Sequence, residues 1–441
     1  MEKITDFIES KIAPALIKFS NLKYIQIIQR TFIAFTALLI IGSLFTLLAN
    51  LPKELIGDFS KKFALGAGVG TSFMGLFTCV AAAYATIEWY NTNRDEHIDF
   101  VAPLILVVSS FFVCVPATTV KTVVEGSDKP GSFVGVATDY LGTKGVFAAL
   151  IIGILTIEIY RFFVNHKVTI KMPEGVPPMV ANAFTALIPS FFAIVFWWLV
   201  TPVFGLNIPK MIMGLFTPLV SASDSVAAAF ITSFLNRALW AVGIHGGNVV
   251  GSVANPVWLQ MTAENQAAYA AGQPLPYTFT SIFYDNYVWV GLLPLAVVML
   301  TTKSKRLKAL GGLALLPALF NIGEPLIFGI PIVLNPLMMI PFVLSYMVVL
   351  ALACLLTLSG IIPVPVLSAP WITPAPIKTF LATGAGLGAV PAVVFVIVAW
   401  LIVGLIFYPF VKALEKNDLD EAEAIEGADA EKATDSEASA E

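Results

Sequence analysis

Residues 316–341 read LPALFNIGEPLIFGIPIVLNPLMMIP, an apolar run interrupted by Pro317, Pro325, Pro331, Pro336 and Pro341. A second such stretch, residues 360–378, carries Pro363, Pro365, Pro370, Pro374 and Pro376. Proline lacks an amide donor and clashes with the preceding turn, so neither stretch is one continuous helix. As surface loops between spans, the alternative reading, both would hold apolar side chains in water. Non-helical backbone at membrane depth is tolerated where it is buried in protein or lines a watery cavity. Broken hydrophobic segments are the sequence mark of a transporter binding site.

The rest of the chain agrees with a membrane setting. Of 441 residues, 58% are hydrophobic and 12% charged, with a mean hydropathy of +0.85. That is about half the charge of a soluble domain. It excludes a soluble enzyme, a nucleic-acid binder and a secreted disulfide scaffold. Apolar windows lie near residues 31–50, 64–87, 100–116, 145–164, 183–204, 226–244, 286–301, 332–358 and 384–410. A span needs roughly 20 such residues, so the expected fold is an all-α polytopic membrane protein of about ten transmembrane helices.

Lys3, Lys11, Lys18, Lys23 and Arg30 precede the first span, which places the N-terminus in the cytoplasm. Residues 1–30 read as an amphipathic cytoplasmic segment without the short apolar core of a cleaved leader. Arg161, Lys167 and Lys171, and a cluster at Lys303, Lys305, Arg306 and Lys308, belong on the same side. Simple alternation does not bring both clusters there, so some segment within 205–285 re-enters or lies flat. Residues 412–441 hold eleven acids and three bases and read as a disordered cytoplasmic tail, either for solubility or as an acidic docking arm.

Between Ala309 and Val411 the only formally charged residues are Glu324 and Lys378. An intramembrane carboxylate marks a functional site by default, the alternative being a helix cap or structural salt bridge. In Asn321-Ile322-Gly323-Glu324-Pro325, Gly323 permits a tight turn and Pro325 suits a helix start. His245 and Asn248 lie in Gly243-Ile244-His245-Gly246-Gly247-Asn248 and offer donors and acceptors to a polyhydroxylated ligand, unless His245 is a satisfied core residue. No second His or Cys stands at metal-ligand spacing. Trp371, on the bend Ser368-Ala369-Pro370-Trp371-Ile372-Thr373-Pro374, either stacks on a sugar ring or anchors the interface. Trp197, Trp198 and Trp400 read as interfacial or lipid-facing, His97 and His166 as solvated. Cys79, Cys114 and Cys354 read as buried small hydrophobes.

Taken together, Met172 to Val180, Phe184, Leu187-Ile188-Pro189, His245-Gly246-Gly247-Asn248, Asn321 to Pro325, Phe328 to Pro336 and Pro370 to Pro374 resemble known motifs. They are those of the enzyme IIC permeases of the lactose, cellobiose and diacetylchitobiose type, in the bacterial phosphoenolpyruvate:sugar phosphotransferase system. The resemblance covers residues 1 to 411. It implies a ten-helix homodimer in the cytoplasmic membrane, with residues 31–204 as the dimerising half. Residues 205–411 would be the substrate-binding half, with two re-entrant hairpins. It maps sugar contacts onto His245, Glu324 and Trp371, with Asn248 and Asn321 beside them. Glu324 and His245 would orient the reactive hydroxyl of a β-linked disaccharide for phosphorylation. The phosphoryl group would come from a separate phosphocysteine enzyme IIB, and no cofactor, metal or nucleic acid is implied.

A rival reading is an ion-coupled sugar transporter in which Glu324 titrates. Another, a transferase on a lipid-linked sugar, would need a donor-phosphate site that this sequence does not display.

Overall fold

The computed structural model describes residues 18, 21–34, 36–49, 57–68, 71–115, 118–123, 130–135, 138–173, 175–330, 332–333 and 335–438. Most of the expected N-terminal segment, along with Glu174, Pro331 and Leu334 of the quoted motifs, lies outside them. Among the described residues six helical stretches are long and apolar enough to cross a bilayer: Lys23–Ala49, Thr143–Asn165, Val180–Val203, Ser281–Leu300, Pro336–Leu358 and Leu387–Asp420. A seventh arises if Ile208–Ser223 and Val226–Ala241 count as one broken span. The expected window at 100–116 forms a helix of only 14 residues, Val101–Cys114, about 21 Å long and short of a hydrocarbon core.

The chain divides into two units, and the division is not a single cut near residue 205. One unit holds Ile17–Ser225 and Gly251–Ser281; the other holds Val226–Val250 and Ile282–Glu441. Over the described residues the chain passes from one to the other three times.

In the first unit, α1 (Lys23–Ile33), α2 (Thr36–Ala49), α3 (Met74–Arg94), α4 (Val101–Cys114), α5 (Val146–Asn165) and α6 (Pro178–Trp198) supply the main helices. The core shared by α3 to α6 holds Cys79, Ile87, Phe111, Ile152 and Trp197. Trp197 is therefore not lipid-facing: it is buried, and its indole N–H donates to Thr156 Oγ1 at 2.8 Å. Trp198, half exposed, fits the expectation. At one end of these helices Lys23 pairs with Glu158 (2.9 Å) and Arg161 with Glu96 (2.6 Å). Two basic residues, one on α1 and one on α5, thus meet their counter-charges there. All three cysteines are buried and free.

One antiparallel hairpin departs from the all-α expectation. It consists of β1 (Thr118–Val123) and β2 (Pro130–Gly135), in register from Thr118↔Gly135 to Val123↔Pro130. The β1 sequence TTVKTV is β-branched except at Lys121, and such side chains suit a pleated pair better than a helix.

The second unit contains α7 (Val226–Ala241), the start of α8 (Gly246–Ala270), α9 (Leu293–Leu300), α10 (Lys305–Leu319), α11 (Glu324–Gly329), α12 (Pro336–Leu358), α13 (Ala375–Ala382) and α14 (Val390–Ala438). Both proline-rich stretches are broken, as expected. The first falls into the end of α10, the short α11 and the start of α12; the second runs without helix until α13. Buried Tyr287 pins the second by donating its hydroxyl to the Pro363 carbonyl at 2.6 Å. Trp400 is likewise tied inward, through a 2.6 Å bond from its indole N–H to Val290 O.

Helix α14 continues past the apolar segment to Ala438, through most of the acidic end that the sequence reads as a tail. Its segment from Val390 to Val411 rises about 33 Å, enough for a hydrocarbon core of about 30 Å. Beyond that, Ala, Glu, Lys and Leu are strong helix formers, and extending an existing helix carries no nucleation cost. The first turns past the span are also held: Asp418 pairs with Arg306 at 2.7 Å, and Glu415 accepts from the Lys303 amide.

Candidate functional site

His245, Asn248, Asn321, Glu324 and Trp371 all belong to the second unit. His245 ends the turn between α7 and α8. Gly243 takes φ +84° in that turn, a conformation costly to any residue with a Cβ. Gly246 starts α8 against the backbone of α7, where an added Cβ would sit 1.9 Å from Asn236 O. The two glycines shape the turn that joins α7 to the start of α8, and His245 is exposed at that bend.

The His245 ring caps α8. The Asn248 amide N–H donates to its Nδ1 at 3.0 Å, the contact an Asp or Ser side chain makes at a helix start. Accepting that bond requires Nδ1 to be unprotonated, so the neutral ring carries its proton on Nε2. That Nε2–H has no partner among the described residues and is the face His245 offers a ligand. Asn248 is exposed, and its side chain stands free one turn into the helix.

Glu324 is the first residue of α11, directly ahead of Pro325. Its side chain is exposed and makes no hydrogen bond or ion pair among the described residues. It is therefore neither a structural salt bridge nor a buried acid, but an open carboxylate at a helix break. The tight turn before it is made by Asn321, at φ +64°, while Gly323 has an ordinary φ of −93°. Asparagine is among the few non-glycine residues that adopt this conformation readily.

Asn321 uses both amide protons on the neighbouring proline-rich loop. Its Nδ2 donates to Trp371 O at 2.8 Å and to Thr373 O at 2.7 Å. Asn321 thus holds the Trp371 bend beside the Glu324 turn, and Trp371 itself is 59% exposed. Lys378, the other charge between Ala309 and Val411, is buried on α13 with the Asp285 carboxylate as electrostatic partner.

Two aromatic residues that sequence reasoning missed connect His245 to Glu324. Trp240 lies 4.3 Å from the His245 ring, centroid to centroid, and 6.4 Å from Phe328. Phe328 follows Glu324 by four residues, on the same face of α11. One line of ring contacts therefore runs His245, Trp240, Phe328, with Phe328 one helical turn beyond Glu324, and hydrogen bonds from Asn321 join the Glu324 turn to the Trp371 bend. Nothing in the sequence sets Trp240 apart from the many aromatics of membrane helices, and Phe328, though it opens one of the quoted motifs, carries no polar group to mark it as a contact. Cavities of about 480 and 410 Å³ lie in the first unit, lined by Arg30 and Glu88 and by Asn91, His97 and Asp99, and hold none of the five residues.

Set beside known proteins, residues 29–345 match the family described as Phosphotransferase system, EIIC. The lichenan permease IIC component of Bacillus subtilis (strain 168) is 32% identical, over 99% of this chain and 99% of its own length. The cellobiose-specific EIIC component of the Geobacillus stearothermophilus PTS system is 31% identical, over 96% of this chain and 97% of its own. The crystal structure of the transporter ChbC, the IIC component of the N,N'-diacetylchitobiose-specific phosphotransferase system, superposes with a TM-score of 0.84 at 31% identity. It covers 95% of this chain and 99% of ChbC. A membrane-spanning helical chain, matched nearly end to end by these permeases, belongs to the EIIC family of sugar permeases of the phosphotransferase system.

Proposed function

We propose that this permease carries a β-linked disaccharide of the cellobiose or diacetylchitobiose type across the bacterial cytoplasmic membrane and presents it for phosphorylation by enzyme IIB. One observation carries the reading. Glu324 is an exposed carboxylate, unpaired among the described residues, one helical turn before Phe328, whose ring neighbours Trp240 and through it the His245 imidazole. A carboxylate accepts from sugar hydroxyls and a neutral imidazole N–H donates to a sugar oxygen. Trp371, held beside them by Asn321, offers an aromatic face for the apolar side of a sugar ring.

In the reaction the primary hydroxyl oxygen attacks the phosphorus of the donor's phosphocysteine. The new O–P bond forms as the P–S bond breaks, the thiolate leaves with the S–P electron pair, and the hydroxyl proton passes to the Glu324 carboxylate. His245 is the weaker candidate for that proton, because its basic nitrogen already accepts from Asn248. It orients the hydroxyl instead. Phosphoryl transfer asks mainly for positioning, which is what these residues supply. The wider reading includes a homodimer formed through the first half of the chain, ten spans with two re-entrant hairpins, and both termini in the cytoplasm.

Binding of radiolabelled cellobiose to detergent-purified protein tests the site. Loss of a hydrogen bond to a charged group removes about 2–3 kcal/mol. Glu324→Gln is therefore expected to weaken binding roughly 30- to 150-fold. Unchanged affinity in that variant removes Glu324 from the site.

A further inference from the structure

Helix α7 carries a buried polar face that none of the contacts above uses. Ser233, Asn236 and Arg237 are 0%, 3% and 8% exposed. Ser233 Oγ, Asn236 Oδ1 and Arg237 Nε are each buried without a hydrogen-bond partner among the described residues. At spacings of three and four residues the three share one face of the helix. That face continues one turn on to Trp240, which packs against His245.

Arg237 is the unusual member. Its guanidinium lies 3.8 Å from the Tyr346 ring centroid and 5.5 Å from that of Phe342, both on α12. No carboxylate among the described residues pairs with it. A guanidinium cannot shed its charge in a protein, and an aromatic face offsets only part of what its desolvation costs. A neutral sugar would leave that charge uncompensated. A phosphomonoester would compensate it, since its oxygens match the donor fork of arginine and accept from a serine hydroxyl.

Building on the reading of Glu324 and His245 as the reacting pair, we propose that Arg237, with Ser233 beside it, forms the subsite for the phosphate of the phosphorylated disaccharide. Asn236 Oδ1 takes a hydroxyl of the same ligand. The site that receives a neutral sugar thus also recognises the anion it becomes.

The test uses full-length protein in detergent and three probes: cellobiose, cellobiose bearing a phosphate on the primary hydroxyl of its non-reducing glucose, and inorganic phosphate. Arg237→Gln is expected to weaken the sugar phosphate at least tenfold while cellobiose affinity stays within twofold. Arg237→Lys, which keeps the charge but not the fork, is expected to lose about threefold, selectively for the sugar phosphate, and stands in if the Gln variant does not fold. Inorganic phosphate should raise the melting temperature of the wild type and of neither Gln nor any other uncharged variant at 237. Equal losses for both sugars, or none for the sugar phosphate, overturn the subsite and leave an aromatic-packed structural arginine. If the wild type binds no cellobiose but is stabilised by phosphate through Arg237, the disaccharide reading fails and the anion subsite stands.

Discussion

His245 combines two jobs that a single substitution can separate. Its Nδ1 caps α8 and its Nε2–H faces outward. Asparagine is a good helix cap but lacks the imidazole donor, whereas alanine provides neither. His245→Asn should therefore keep the wild-type melting temperature and still lose cellobiose affinity by about tenfold, the value of one hydrogen bond of about 1.4 kcal/mol. His245→Ala should lose the same affinity and also about 1 kcal/mol of stability. Thermal unfolding and equilibrium binding of the pair check this; full affinity in His245→Asn would confine the residue to capping. Glu324, His245 and Trp371 were legible in the sequence because each is a polar or aromatic group placed at a break in an otherwise apolar run. Other residues were not. Asn321 reads as a ligand contact, yet its donors hold the Trp371 backbone. Arg237 and Trp240 sit inside an apolar window, and only tertiary packing reveals what their side chains meet.

At the scale of elements, prolines and glycines foretold every break around the site. The limits of sequence reading lie where local propensity meets context. The β1–β2 hairpin is too short to stand out in a hydropathy profile, and the acidic end of α14 lacks the core that usually signals order. That end is held by charge. Burial works to raise the Asp418 carboxyl, but hydrogen bonds from Arg306 and Ser304 outweigh it and hold it below its ordinary 3.8. A hydrogen bond from Lys412 and the Lys303 amide lower Glu415 from 4.5. A carboxyl lowered in the folded state contributes its stability in full above its unfolded value and loses it as pH falls through the folded one. Amide exchange over residues 412–420, corrected for intrinsic rates, should stay constant from pH 7 to about 5 and then accelerate as the pH drops below those ordinary values. Asp418→Asn should show part of that acceleration at neutral pH. Exchange indifferent to both changes would mean that helix propensity alone maintains the segment.

For the molecule as a whole, composition and broken spans are enough to fix the membrane class. The division into two units is harder to read, because over the described residues the chain crosses between them three times and only long-range contacts record it. The second unit holds every candidate sugar contact, and its open carboxylate is the centre of the account. Reconstitution into liposomes with enzyme IIB and its phosphorylation system outside, oriented for the cytoplasmic face, measures that centre most directly. The account predicts that labelled cellobiose enclosed in the liposomes emerges as the sugar phosphate, only when enzyme IIB is phosphorylated, at a rate indifferent to a protonophore and abolished by Glu324→Gln. Free cellobiose crossing without phosphorylated enzyme IIB, driven by a proton gradient and stopped by the protonophore, would contradict it and make Glu324 the titrating group of an ion-coupled transporter.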